Sequence, residues 1–429
     1  MTPTGTPPIP AGADARSLAL SSWPPRQPLA ALWSADYPPR LARPTRILSW
    51  RPATGWRGHL PKHALPPDRP LRTVDHLWRS HLDPDSPGAW LLILSYDLAR
   101  QLEPTAQGDT PPANDRDHPD LILARGEDWT PTTTPSLAPR PFTLRSPDLN
   151  VSKTRFTGAV RDALRRIADG DVYQVNLTHR LSASFAGSAR ALADQLLARA
   201  RPWHGLYLEL DEHNTRRVHI GASPELFLEA DLHTRRVLTR PMKGTRPAES
   251  DPSELRESPK DRAELDMITD LMRNDLGRVC AFGSVRVEDP RVIERHASGV
   301  LQATSRVSGR LRDDVAFEQL IHATFPPGSV TGAPKVRAMQ LIDELEDHRR
   351  GPYCGACGVL TDTGRLSLGV SIRTATLTGR PAPDALDALT DATLDFPVGA
   401  GIVSDSDPDA EWDETLVKAR ALLAAIPAP

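Results

Sequence analysis

Residues 172–230, VYQVNLTHRLSASFAGSARALADQLLARARPWHGLYLELDEHNTRRVHIGASPELFLEA, decide the fold class. The opening 172–185 reads as a strand and 189–200 as a helix. Then 206–210 and 218–222 read as strands, and 225–230 continues as one after a short kink. A single helix among consecutive strands is not the regular alternation of a doubly wound sheet. Working towards the N-terminus, 154–170 is helical, with Phe156, Val160, Leu164 and Ile167 on one face. Towards the C-terminus, 261–276, 317–324, 335–346 and 413–425 read as helices, and 353–360 and 366–376 as strands. The expected class is α+β. No internal repeat is present.

The region before residue 151 has a different texture. Residues 1–15 are rich in Pro, Gly, Ala and Thr and are expected to be disordered. The many prolines of 16–130 predict short strands and loops, because proline donates no backbone hydrogen bond and breaks helices. Within it, 90–96 (WLLILSY) reads as a buried strand, and 105–150, rich in Pro, Thr and Asp, as a long surface loop. The expected organisation is therefore a disordered 1–15, an N-terminal region 16–150 packed on the core, and a catalytic region 151–429.

Composition narrows the function. A net charge of -3 provides no global basic field for a phosphate backbone, and 5% aromatics makes base-stacking platforms unexpected. Nucleic acid is not an expected partner. No run approaches the roughly 20 apolar residues of a membrane span. The first residues lack a basic segment followed by a long apolar one, so no signal peptide is read and the cytoplasm is the expected location. The three cysteines, Cys280, Cys354 and Cys357, do not form a disulfide framework. Cys354 and Cys357 have zinc or redox spacing, but no second pair completes a metal site, and buried thiols are expected.

Several constellations could carry chemistry. Asp261 and Glu264 share a helix face, and Glu411 and Glu414 repeat that spacing, with Lys418 one turn on. Two helices that each present a carboxylate pair can bracket a hard cation such as magnesium, which keeps waters and often takes only one or two carboxylates. The plain alternative is a solvated charged face. Residues 328–335 (GSVTGAPK) run into a helix but lack the spacing of a phosphate loop. Gly399, Ala400 and Gly401 would let backbone N–H groups approach an anion, or form a simple turn. Arg373, among apolar strand residues, needs a carboxylate, from a ligand or from the protein. Lys243, in RPMKGT (240–245), is a candidate nucleophile, and Glu225 follows a Ser-Pro pair; each is weak alone.

Taken in order, these pieces resemble the chorismate-utilising enzymes. The matching stretches are YQVNL (173–177), ASPELFL (222–228), RPMKGTR (240–246), DRAE (261–264), DLMRNDLGRV (270–279), GSVTGAPK (328–335), RGPYCG (350–355), IRT (372–374), GAGIVSDS (399–406) and Glu411 with Glu414. They span about residues 155–425; 16–130 resembles the family loosely, around Ser95, Tyr96 and Asp97. The resemblance implies one large α+β unit with antiparallel sheets packed between helices. It implies magnesium at Glu264, Glu411 and Glu414, with Asp261 near its water shell. It implies substrate contacts from Tyr353, Arg373, Gly244, Thr245, Gly399, Ala400, Gly401 and Lys418, with Glu225 as acid.

Within the family two positions discriminate. Anthranilate synthases have Ala where Lys243 stands, whereas in lysine-type aminodeoxychorismate synthases that lysine is the nucleophile. Isochorismate and salicylate synthases have a base lysine where Gln174 stands. Both positions place the chain with the branch that aminates chorismate at C4, using ammonia. None of the cysteines sits in a Gly-rich elbow, so a separate glutamine amidotransferase subunit is expected. Gln302 replaces a family His, and Pro327 a frequent Gly. Ser34, Pro202, Trp203 and His204 are candidates for lining a tryptophan pocket of the kind some members carry.

Overall fold

The computed structural model describes residues 20, 23–24, 26–34, 37–58, 68–109, 111–131, 140–145, 149–212, 214–296, 299–383 and 385–424. Among them, all strand pairing is antiparallel and gathers into two sheets, one of ten strands and one of eleven. The first sheet runs Gly332–Ala333, Gln174–Ser188, Ala385–Ile402, Thr374–Ala382, Thr215–Ser223, His204–Glu212, Ala30–Ser34, Tyr37–Ala42 and Thr130–Pro131, with Phe142–Leu144 beside Gln174–Ser188. The second runs Met242–Pro247, Val300–Arg310, Arg236–Arg240, Leu226–Asp231, Arg365–Val370, Ala356–Thr361, Ala89–Leu94, Leu121–Gly126, Arg46–Arg51 and Gly55–Arg57, with Arg286–His296 beside Val300–Arg310.

Side-chain alternation explains the layering. Leu91 and Ile93 point inward and meet Leu32, Leu206 and Leu208 of the other sheet. Trp90, Leu92 and Leu94 point outward, into a cluster with Leu71, Val74 and Trp78 of the helix Pro70–Arg79. On the far side, Leu192 and Leu196 of the helix Ala189–Ala200 cover Tyr207, Ile220 and Leu377. The chain is an α+β unit with two facing antiparallel sheets between helices. The expected class holds.

Four local expectations are corrected. The supposed surface loop 105–150 contains Leu121–Gly126, a fully buried strand between Ala89–Leu94 and Arg46–Arg51. Its apolar run, Leu121 to Ala124, was outweighed by polar flanks. Proline-rich 16–130 holds the helix Pro70–Arg79, which proline starts because its missing N–H is unpaired in the first turn anyway. Residues 366–376 are not one strand: Arg365–Val370 lies in the second sheet, Thr374–Ala382 in the first, and the chain crosses between them at Ser371–Arg373. Gly399–Gly401 is no turn but part of the strand Ala385–Ile402, in register with Thr178, Leu177 and Asn176. The expectation for 1–15 lies outside the described residues.

One buried ion pair anchors the N-terminal segment. Arg190 donates to both oxygens of Glu209 (2.8 and 3.0 Å) and to the carbonyls of Trp23, Pro24 and Gln27. Glu209 also accepts from Leu29 N and the Tyr207 hydroxyl. Both charges are fully buried, and the other cation near Glu209, Arg216, stands off at 4.0 Å, so removing Arg190 leaves the carboxylate poorly compensated and without water. Arg190→Met should lower stability by roughly 3–5 kcal/mol, read from the urea midpoint. A change below about 1 kcal/mol would show that water takes the arginine's place.

Candidate functional site

Lys243 lies in the edge strand Met242–Pro247, paired with Val300–Arg310. Its Nζ is 3.6 Å from Glu264 Oε2, on the helix Pro259–Gly277. A methyl group added to Gly401 would lie 3.1 Å from Lys243 Nζ and 3.1 Å from Gln174 Nε2. The lysine thus faces the end of the other sheet, where glycine leaves room above the backbone. Gln174 is fully buried, and neither its Nε2 nor its Oε1 has a partner among the described residues. An unpaired buried amide costs roughly 1–3 kcal/mol, which a ligand can recover.

The second carboxylate pair comes from the helix Pro408–Leu423. Lys418 Nζ bonds Glu414 at 2.7 Å and the Gly399 carbonyl at 2.8 Å, tying this helix to the glycine strand. Lys418 holds the Glu414 carboxyl below its ordinary range, helped by Lys243 and Lys260. Burial pushes the Glu411 carboxyl up, with the Glu414 charge adding to it, although Ser406 donates to Glu411 at 2.6 Å. Asp261 is paired with Arg246 at 2.8 Å.

Glu264 and Glu414 are therefore the carboxylates that face a common cation, Lys243. Among the described residues no three His, Cys, Asp or Glu close into a metal cage. Two hard oxygen donors fit magnesium, whose remaining positions water and substrate would fill. Glu411 and Asp261 already hold Ser406 and Arg246, which suits contact through water rather than direct ligation.

Glu225 is buried beside Lys243. Burial pushes its carboxyl up to about 7, against the opposing pull of Ser329, Lys243, the Met242 N–H and Arg240. A carboxyl that is half protonated near neutrality can act as an acid.

Gly244 has φ +71°, and a Cβ there would lie 2.5 Å from Leu255 and 2.8 Å from Asp261 Oδ1. Gly244→Ala should cost about 1–3 kcal/mol and displace Lys243, seen as a lower melting temperature with a lower kcat. Wild-type values for both would show that the turn gives way freely. Thr245 accepts from Gln302 Nε2 at 3.3 Å, so the glutamine in place of a histidine still holds this loop.

Arg373 sits at the crossover between sheets with φ +53° and is largely desolvated, which lowers its pKa. Among the described residues no carboxylate pairs with it, leaving its guanidinium for a ligand. Tyr353 is buried and lines a cleft with His118, Arg180, His348, Arg350 and Thr374. Neither residue makes a described contact with the Lys243 cluster; the crossover places Arg373 one residue from Thr374 in that cleft. Trp203 is stacked on His296 at 3.9 Å under Arg240 at 4.2 Å, and the Ser34 side chain lies outside the described residues.

Three contributions were missed in the sequence. Gln174 served only as a discriminator, although its partnerless amide faces the site. Lys260 acts on both Glu411 and Glu414 and precedes the recognised Asp261 directly. Ser329, within the 328–335 stretch, pulls the Glu225 carboxyl down against the effect of burial. The conspicuous Lys335 of that loop is consumed by Asp275 at 2.5 Å and the Thr324 carbonyl.

An anthranilate synthase component 1 of Aquifex aeolicus is 41% identical over 284 residues, 65% of this chain and 54% of that protein. An aminodeoxychorismate synthase component 1 of Salmonella typhimurium is 38% identical over 295 residues, 66% of this chain and 60% of that protein. The chain spans about half the length of such curated relatives. Among solved structures, anthranilate synthase component I of Streptococcus pneumoniae matches with a TM-score of 0.68 at 24% identity, over 91% of each chain. The menaquinone-specific isochorismate synthase of Escherichia coli matches at 0.66 and 18%, over 95% of this chain and 91% of that one. At these identities the structures speak for the fold. A match to the chorismate binding enzyme family covers residues 62–424, which include Lys243, Glu225 and both carboxylate helices, and the chain belongs to that family.

Proposed function

We propose that the chain is an aminodeoxychorismate synthase component, aminating chorismate at C4 with ammonia to give 4-amino-4-deoxychorismate for 4-aminobenzoate and folate synthesis. The observation that carries this reading is Lys243, held between Glu264 and Gly401 with the buried acid Glu225 alongside. A site for water addition would need a base near Gln174, and an amide cannot serve as one.

Magnesium at Glu264 and Glu414 would polarise and orient the ring carboxylate of chorismate. Arg373 and Tyr353 would hold the enolpyruvyl carboxylate. Backbone groups of Gly244, Thr245 and 399–401, with Lys418, would complete the anion cradle. Neutral Lys243 bonds to C2, the two ring double bonds shift, and the C4–O bond breaks. Glu225 gives its proton to the departing hydroxyl, which leaves as water. Ammonia then bonds to C4, the double bonds shift back, and Lys243 leaves C2 as the neutral amine. Glu225 recovers its proton from solvent.

The ammonia needs a source. Burial pushes all three thiols up, Cys280 and Cys357 to about 11 and Cys354 to about 12, so none is an activated nucleophile. A separate glutamine amidotransferase subunit is proposed as the partner, and the cytoplasm as the location. Among the described residues no helix is long and apolar enough to cross a membrane.

The test is product analysis with chorismate, magnesium and ammonium. 4-Amino-4-deoxychorismate, convertible to 4-aminobenzoate by an added lyase, is expected. Anthranilate would instead favour the activity that the Aquifex relative's name carries, and isochorismate would show that Gln174 does not exclude water.

A further inference from the structure

We infer that His179 is a positioning residue for the proposed magnesium site, holding the helix Pro408–Leu423 so that Glu411 and Glu414 stand where the cation is taken up. The inference rests on the reading that Glu264 and Glu414 hold magnesium. In that helix Trp412 follows Glu411 and Thr415 follows Glu414, and both Trp412 and Thr415 are buried. Being three apart, they share one face of the helix. His179 meets that face from the strand Gln174–Ser188. Its ring is stacked on Trp412, with centroids 4.6 Å apart and planes 28° from parallel, and its Nε2 is 2.8 Å from Thr415 Oγ1. Phe156 closes the cluster from the helix Leu149–Ala168, 5.1 Å from the His179 ring and 6.1 Å from Trp412.

The hydrogen bonds fix which way the histidine works. Thr415 Oγ1 already donates to the Trp412 carbonyl at 2.7 Å. A hydroxyl has one proton, so His179 Nε2 carries the hydrogen and donates to Thr415. Nδ1 is buried with no partner among the described residues, as suits a neutral ring. Lys418 ties the same helix to the Gly399 carbonyl, but it also binds Glu414, so that tie draws on a carboxylate the cation needs. His179 draws on none. It lies opposite Val398, and its neighbour Thr178 lies opposite Gly399, so both ties reach the same stretch of paired strands. With the helix gripped at Trp412 and Thr415, the backbone on either side of Glu414 keeps its place when Glu414 turns from Lys418 to the cation. Groups that hold a metal ligand from behind set its affinity in this way.

The experiment is magnesium uptake by the full chain without substrates, measured by calorimetry, with kcat at saturating magnesium and melting temperatures alongside. His179→Ala, which loses both ring and donor, should weaken magnesium binding about tenfold and leave kcat within about twofold of wild type. His179→Phe and Thr415→Val delete the same hydrogen bond from opposite sides. Each should weaken binding about threefold, and the double variant no further. If His179→Ala does not fold, this pair still decides. Lower melting temperatures with wild-type magnesium affinity in these variants would reduce His179 to a structural residue and overturn the inference. Wild type that takes up no magnesium, or Glu264→Gln that takes it up unchanged, would remove the metal reading and this inference with it. If Glu264→Gln loses binding while the His179 and Thr415 variants keep it, only the His179 inference fails.

Discussion

Lys243→Ala should lose turnover by on the order of 10³-fold, about 4 kcal/mol of barrier, together with every trace of a covalent intermediate. Without ammonium, wild-type protein exposed to chorismate should accumulate an adduct on Lys243. Intact-mass measurement would show a gain equal to chorismic acid less one molecule of water, and peptide mapping would place it on 242–247. The variant should show no gain. The Lys243–Glu264 pair is mostly buried, at 13% and 16% exposure of the side chains, so the melting temperature of each variant separates this loss from a loss of fold. Lys243→Arg is the sharper control: it keeps the charge beside Glu264 and cannot act as an amine. Full activity, or an undiminished adduct, in either variant would remove Lys243 from the reaction.

Glu225→Gln should be nearly as damaging, because general acid catalysis typically supplies about 10²–10⁴-fold. With the Glu225 carboxyl at about 7, its protonated fraction falls as pH rises through neutrality, so kcat should decline on an alkaline limb near pH 7. The glutamine variant should have no such limb in its residual rate. Wild-type stability should fall over the same pH range. The folded carboxyl stands at about 7 against an ordinary 4.5, and burial is the first cause. A raised acid contributes stability below the unfolded value and loses it as pH climbs through the folded one. Above pH 7 wild type therefore carries a penalty on the order of 3 kcal/mol that Gln does not. Denaturant midpoints at pH 5 and pH 8.5 should separate for wild type and stay closer together for Glu225→Gln. Coincident shifts in the two proteins would place the carboxyl in a more hydrated setting.

Local elements were legible where local forces set them. Ala189–Ala200 and Phe317–Thr324 fall at the boundaries that periodicity gives. Spacing also put carboxylates on shared helix faces. What stayed hidden depends on distant partners. Leu121–Gly126 is buried because strands on both sides cover it, and nothing in its polar flanks reports them. The apolar run around Arg373 gives no hint that its halves serve different sheets. Gly399 and Gly401 suggested a turn, yet both lie in a strand, where Gly401 clears space for Lys243 Nζ and Gly399 for the neighbouring Leu177 carbonyl. Ser329 was overlooked because its influence on the Glu225 carboxyl comes from a residue far away in sequence.

The interleaving of the sheets bears on how the chain folds as it is made. Ala30 must wait for Leu208, and Ala89 for Thr361, before each finds its second strand partner. Contacts so distant make folding slow, since loop closure comes before any reward. The early strands, including the wholly apolar Ala89–Leu94, emerge from the ribosome and keep one edge bare until these distant partners follow. Chaperone demand during synthesis should therefore be high, and a fragment beginning near residue 151 should aggregate, because it lacks the strands that complete both sheets.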